Sequence, residues 1–290
     1  GFDHAAVHTG MNRLYVAHTA NDALDVIDCV EDRYLYSIPN LPGIAGALVS
    51  EEDNRVFTSN RAENTVGIFS PDNDGNVAKI PVGIRPNGLS YDPTSGLLLA
   101  AHVGDPNIPD STTISIIHVP DQRLIASIPV PGRTRWTVFD GMSNAFYVNI
   151  ADPAQIIVVS AAAPAEIART FSVPAVGPHG LDVDAYSSRL FCACDGAKLV
   201  TLDMRSGAIL TVSEISGVPD VIFHNAAFHH IYVAVGDPGV IDVFDTQTTM
   251  QVAMIETERG AHTIAFDAQQ QKVYAFLPET HRAAVYVDRE

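Results

Sequence analysis

Apolar and polar residues alternate along this chain in short stretches, and the alternation recurs as a longer phrase every 41 to 48 residues. An apolar period of two is that of a β-strand, whereas a helix would show 3.6, so the chain predicts strands throughout. The first copy of the phrase reads His4-Ala-Ala-Val-His8, a polar turn over 9–12, Leu14-Tyr-Val-Ala-His18, Leu24-Asp-Val-Ile-Asp28 and a fourth segment over 34–38. Later copies match it. Asn87-Gly-Leu-Ser-Tyr-Asp92 leads to Leu97-Leu-Leu-Ala-Ala-His102, and His179-Gly-Leu-Asp-Val-Asp184 leads to Leu190-Phe-Cys-Ala-Cys194. His262-Thr-Ile-Ala-Phe-Asp267 leads to Val273-Tyr-Ala-Phe-Leu277.

Aligning the first segments gives seven equivalent starts: His4, Ala45, Asn87, Arg135, His179, Asp220 and His262. Their separations are 41, 42, 48, 44, 41 and 42 residues, the length of four short strands with turns. One such unit cannot bury both faces of its sheet, but a closed ring of them can. The expectation is therefore an all-β, single-domain, seven-bladed β-propeller over residues 1–290, with four antiparallel strands per blade. The 48-residue interval contains an extra loop over 104–111, rich in Pro and Asp. In the last copy the third strand ends near Asp288, two residues before Glu290. That blade is expected either to hold three strands or to be completed by a segment outside this chain.

Topology then predicts a site. The first strand of a blade is innermost and the second runs back, so strand-one starts and strand-two ends meet at one mouth of the central channel. The inner set is the seven starts, and His179, Asp220, His262 and His4 form a continuous arc of blades five, six, seven and one. Asn87 and Arg135 face that arc. The second-strand ends are His18, Asn60, His102, Ile150, Cys194, Val235 and Leu277. Small polar or anionic ligands favour such concavities. His262 and His179 could exchange protons while Asp220 orients a ring, and Arg135 could hold a developing oxyanion. Asn87, Arg135, His18, His102 and Asn60 are the candidate substrate-binding residues. His4, His179, Asp220 and His262 could instead hold a divalent transition metal such as Zn, Fe, Mn, Ni or Cu. A third reading is a non-catalytic propeller that recognises a peptide, glycan or partner protein. The remaining histidines, among them His8, His224, His229 and His230, are expected in surface or packing roles.

Composition narrows the field. With 17 basic and 34 acidic side chains, the net charge of −17 disfavours nucleic-acid partners. No run is apolar enough for a membrane-spanning helix, and no secretory apolar region is present. The expectation is a soluble chain, cytoplasmic or exported after removal of a leader, with its oligomeric state left open. Cys192 and Cys194 share one strand face, an unfavourable geometry for a disulfide. There is no Gly-x-Ser-x-Gly elbow, phosphate-binding loop or dinucleotide fingerprint, so a serine nucleophile and nucleotide or flavin cofactors are not expected.

The Leu-Tyr-Val unit, the following Val-Ile-Asp and the Ile80-Pro-Val-Gly83 link resemble the YVTN-repeat β-propeller family over essentially the whole chain. The resemblance implies the fold. It leaves function broad, since such propellers include surface proteins, binding proteins and enzymes. Propeller lactonases and a streptogramin-opening lyase are more distantly similar, which implies lyase or lactone-hydrolase chemistry, though none of their catalytic motifs is matched residue by residue here.

Overall fold

The computed structural model describes residues 1–289. It forms seven antiparallel sheets: six have four strands in sequential order, and the seventh has three, Ile264–Asp267, Lys272–Leu277 and Arg282–Val287. The chain is a seven-bladed β-propeller with a three-stranded last blade. The first strands of blades two to six are Ile44–Ser50, Pro86–Asp92, Thr134–Asp140, Pro178–Asp184 and Pro219–Asn225. In each of them the aligned start residue is the second residue of the strand. His4 and His262 lie just ahead of the first strands of blades one and seven.

Local chemistry explains why the phrase folds this way. The Asp that closes many strands turns its carboxylate onto the amides two and three residues ahead, an Asx-type turn. Asp267 accepts from Gln269 N at 2.9 Å and Gln270 N at 3.0 Å, and Asp203 accepts from Ser206 N at 2.7 Å. The residue before each second strand is left-handed in all seven blades: Asn12, Asn54, Gly96, Asn144, Ser188, His229 and Gln271. The third residue of each second strand is then aimed into the packing. Tyr15, Phe57, Leu99, Tyr147, Phe191, Tyr232 and Tyr274 are all buried. The core is a series of layers between neighbouring sheets. Tyr15, Leu24 and Val26 of blade one pack with Ile44, Val56 and Phe69 of blade two. Ile222, Ile231 and Val233 of blade six pack with Phe191 and Leu199 of blade five.

The chain divides into two compact units, residues 1–148 with 157–169, and residues 149–156 with those from 170 onward. Within each unit, first strands of successive blades adjoin, and glycine lets them approach closely. A Cβ on Gly180 would lie 2.4 Å from the Asp220 carbonyl oxygen, and one on Gly88 would lie 2.5 Å from that of Arg135. The His179-Gly and Asn87-Gly pairs in the repeat thus set the spacing between adjacent start residues.

In blades one, five and six the far end is tied by the first residue of the second strand, which reaches past the third strand of the next blade. Arg13 donates to the Pro71 carbonyl at 3.4 Å, and Arg189 donates to that of Thr246. In blade six this residue is His230, whose Nδ1 donates to Asp288 at 2.7 Å. Asp288 also accepts from the buried Tyr232 hydroxyl and from Asn225. Asp288→Ala is expected to cost about 2 kcal/mol in urea unfolding, because it strands buried donors. An unchanged midpoint would show that the tie is not structural.

Candidate functional site: a histidine and aspartate relay

In the second unit, the starts of blades five, six and seven are joined by hydrogen bonds. Asp195 Oδ1 accepts from His179 Nδ1 at 2.7 Å, His179 Nε2 lies 3.1 Å from Asp220 Oδ1, and Asp220 Oδ2 accepts from His262 Nδ1 at 2.6 Å. The order is Asp195, His179, Asp220, His262. A carboxylate only accepts, so the His179 ring completes this pattern when both its nitrogens carry hydrogen. At the other end, the Asp220 bond fixes His262 as the tautomer whose basic nitrogen is Nε2. His262 is also the most accessible member: 40% of its side chain is exposed, against 15% for His179 and 17% for Asp220. One end of the relay is therefore oriented and open to solvent.

In the first unit, His4 Nδ1 donates to Asp3 at 2.5 Å, and its ring stacks on Trp136 with centroids 3.7 Å apart. That stack joins blades one and four and leaves only 5% of the His4 side chain exposed. Arg61 bridges Asp3, at 3.1 Å, and the Asn87 amide oxygen. Arg135 is half-buried on the same strand as Trp136. His18 donates to Asp25 at 2.8 Å.

His102 and Asn60 face the packing, with no exposed surface. His102 Nδ1 meets the Thr113 hydroxyl at 2.7 Å, and Asn60 donates to Thr65 at 3.0 Å. The register supplies the reason. The last residue of the second strand pairs with the residue before the start, as Asn60 does with Ile44 and His102 with Pro86. Strand alternation then turns its side chain between the blades. The next residue along reaches the start residues instead, as Asp195 and Arg61 do. Asp195 does not stand out in the sequence for want of that one-residue shift, whereas Arg61 is one of the basic residues the sequence offers for holding an anion. Trp136 was overlooked although it is the sole tryptophan.

Among the described residues, no three His, Cys, Asp or Glu side chains are grouped as a metal site. In the relay, both nitrogens of His179 serve carboxylates. Behind His179, Asn149 Nδ2 donates to the carbonyls of His179 and Gly180 at 2.9 and 3.1 Å. Cys192 and Cys194 are buried and free, and burial pushes the Cys192 thiol well up.

These features define a seven-bladed β-propeller with a histidine and aspartate relay at the strand starts of its second unit. No family model matches the sequence, and no curated protein is significantly similar to it. Solved structures do resemble it. A chain of "Kuenenia stuttgartiensis Hydrazine Synthase" aligns with a TM-score of 0.87 at 11% identity, covering 99% of this chain and 96% of that one. A chain of "Crystal Structure of Mitotic Checkpoint Complex" aligns with a TM-score of 0.85 at 9% identity, covering 99% and 87%. At such identities the likeness is one of fold. Among the described residues, no helix is long and apolar enough to cross a membrane.

Proposed function

We propose that this chain is a propeller of the YVTN-repeat type and an acid–base enzyme, a lyase or lactone hydrolase acting on a small polar or anionic substrate. The observation that supports this reading is the bonded series Asp195, His179, Asp220 and His262. His262 Nε2 is the base: it takes a proton from the substrate carbon as the bond from the adjacent carbon to its leaving oxygen breaks, or from the water that attacks the lactone carbonyl as the ring ester C–O bond breaks. The imidazolium then returns the proton to the departing oxygen. The Asp220 carboxylate, bonded to Nδ1, stabilises the imidazolium so formed. His179 holds Asp220 in place through its other oxygen, and Asp195 holds His179. The reading takes no step through a metal.

The test is a screen of lactones and of carboxylates with an acidic carbon-bound hydrogen, run with the natural chain and with His262→Ala. Turnover of at least one class is expected, reduced about 100-fold or more in the variant. Turnover that persists in His262→Ala would remove the residue from the mechanism. Absence of turnover on every class would favour the non-catalytic binding propeller instead.

A further inference from the structure

Three cavities stand out among the described residues, and their places in the repeat separate them. One of about 490 Å³ lies beside Arg189 and His229, between the turns of blades five and six. One of about 370 Å³ lies beside Arg55 and Tyr91, between those of blades two and three. Both sit next to the first residue of a second strand, so they are grooves that the repeat itself produces. The third, about 470 Å³, lies between blades three and four and is walled by the loop over 104–111. That loop makes the blade-three interval 48 residues long, and insertions in a repeat commonly build a binding face.

We infer that this third cavity binds a small organic anion, a carboxylate or phosphate that also carries a hydroxyl or amino group. Arg85 and Arg133, both exposed, line it from the approaches to the first strands of blades three and four. In a chain with half as many basic as acidic groups, two guanidinium groups on one cavity concentrate donors whose fork fits carboxylate and phosphate oxygens.

The wall is preformed. Asp105 N donates to the Ser111 hydroxyl at 2.8 Å, which donates back to the Asp105 carbonyl at 2.9 Å, and Ile108 N donates to that carbonyl at 3.0 Å. Pro106 and Pro109 stiffen the same loop, so binding need not order it. The Asp105 carboxylate is turned onto its own loop, accepting from Asn107 N at 2.9 Å and from its side chain at 3.0 Å. Asp110 is the second carboxylate of the wall, and it selects a ligand with a hydroxyl or ammonium group. Ile108, 48% exposed, offers apolar surface for the ligand's carbon skeleton. This site lies wholly in the first unit and shares no residue with the relay, so it does not depend on the acid–base reading.

The experiment is calorimetric titration with L-malate, succinate and glycerol 3-phosphate. The emission of Trp136, three residues beyond Arg133 and the sole tryptophan, is followed in parallel. L-Malate or glycerol 3-phosphate is expected to bind at about millimolar concentration or below. Arg85→Ala and Arg133→Ala should each weaken that binding about tenfold, and Asp110→Ala should erase the preference of malate over succinate. These residues are exposed, and unfolding midpoints would verify that the variants stay folded. Failure of both hydroxylated probes to bind, binding unaltered by both arginine changes, or equal affinity for malate and succinate in the natural chain would overturn the proposal.

Discussion

Asp220→Asn is expected to lower turnover by roughly three to four orders of magnitude, mostly in kcat, while the chain stays folded. In the proposed acid–base reading Asp220 is a positioning residue, and its two oxygens contact His179 and His262. Asparagine supplies one acceptor and one donor, so one ring must lose its partner or turn over. If His262 changes tautomer, Nε2 carries the proton and can no longer act as the base. An orienting carboxylate changed to its amide has that scale of effect in a Ser-His-Asp triad with its geometry intact. Nitrogen-15 NMR of the His262 ring separates this cause from general damage, because the change should appear as a switch of the protonated nitrogen. A variant with unchanged kcat would sink the positioning role of Asp220, whatever the substrate.

Acid should weaken the fold through His102. Burial pushes its imidazole down to about 4 from the ordinary 6.5, and its Nε2 is buried without a hydrogen-bond partner. The unfolded chain binds this proton as pH falls below 6.5, whereas the folded chain does so only near 4. The unfolded state therefore holds more protons across that window, and stability falls as pH is lowered through it. The total is roughly 3 kcal/mol, fully retained above 6.5 and lost by about pH 4. Urea unfolding at pH 7 and pH 4.5 should show most of this loss, and His102→Leu should remove it from the pH dependence. Parallel dependences in the two proteins would show that His102 is not the titrating group. A cavity effect alone would shift both pH values equally.

The blade plan was legible because it is local. A two-residue period, a turn-forming Asp and a left-handed residue before each second strand act within a few positions, and seven copies make the pattern plain. The same count left the last blade either three-stranded or completed from outside this chain, and the structure gives it three strands. The relay was partly legible: equal repeat position singled out His179, Asp220 and His262, because blades place equivalent residues alike. Asp195 was not, since its role depends on which side of the second strand the last residue faces. The same one-residue shift explains why His102 and Asn60 are packed between blades.

By itself, then, the sequence determined the number of blades and, to within one or two positions, where each inner strand starts, since both rest on short-range alternation and turn chemistry. The tertiary structure alone decided which side chains bond. Trp136 covers His4, and Asp220 takes two histidines, because close packing of first strands from different blades sets those distances. No periodicity along one chain encodes which neighbour a side chain meets across a blade boundary.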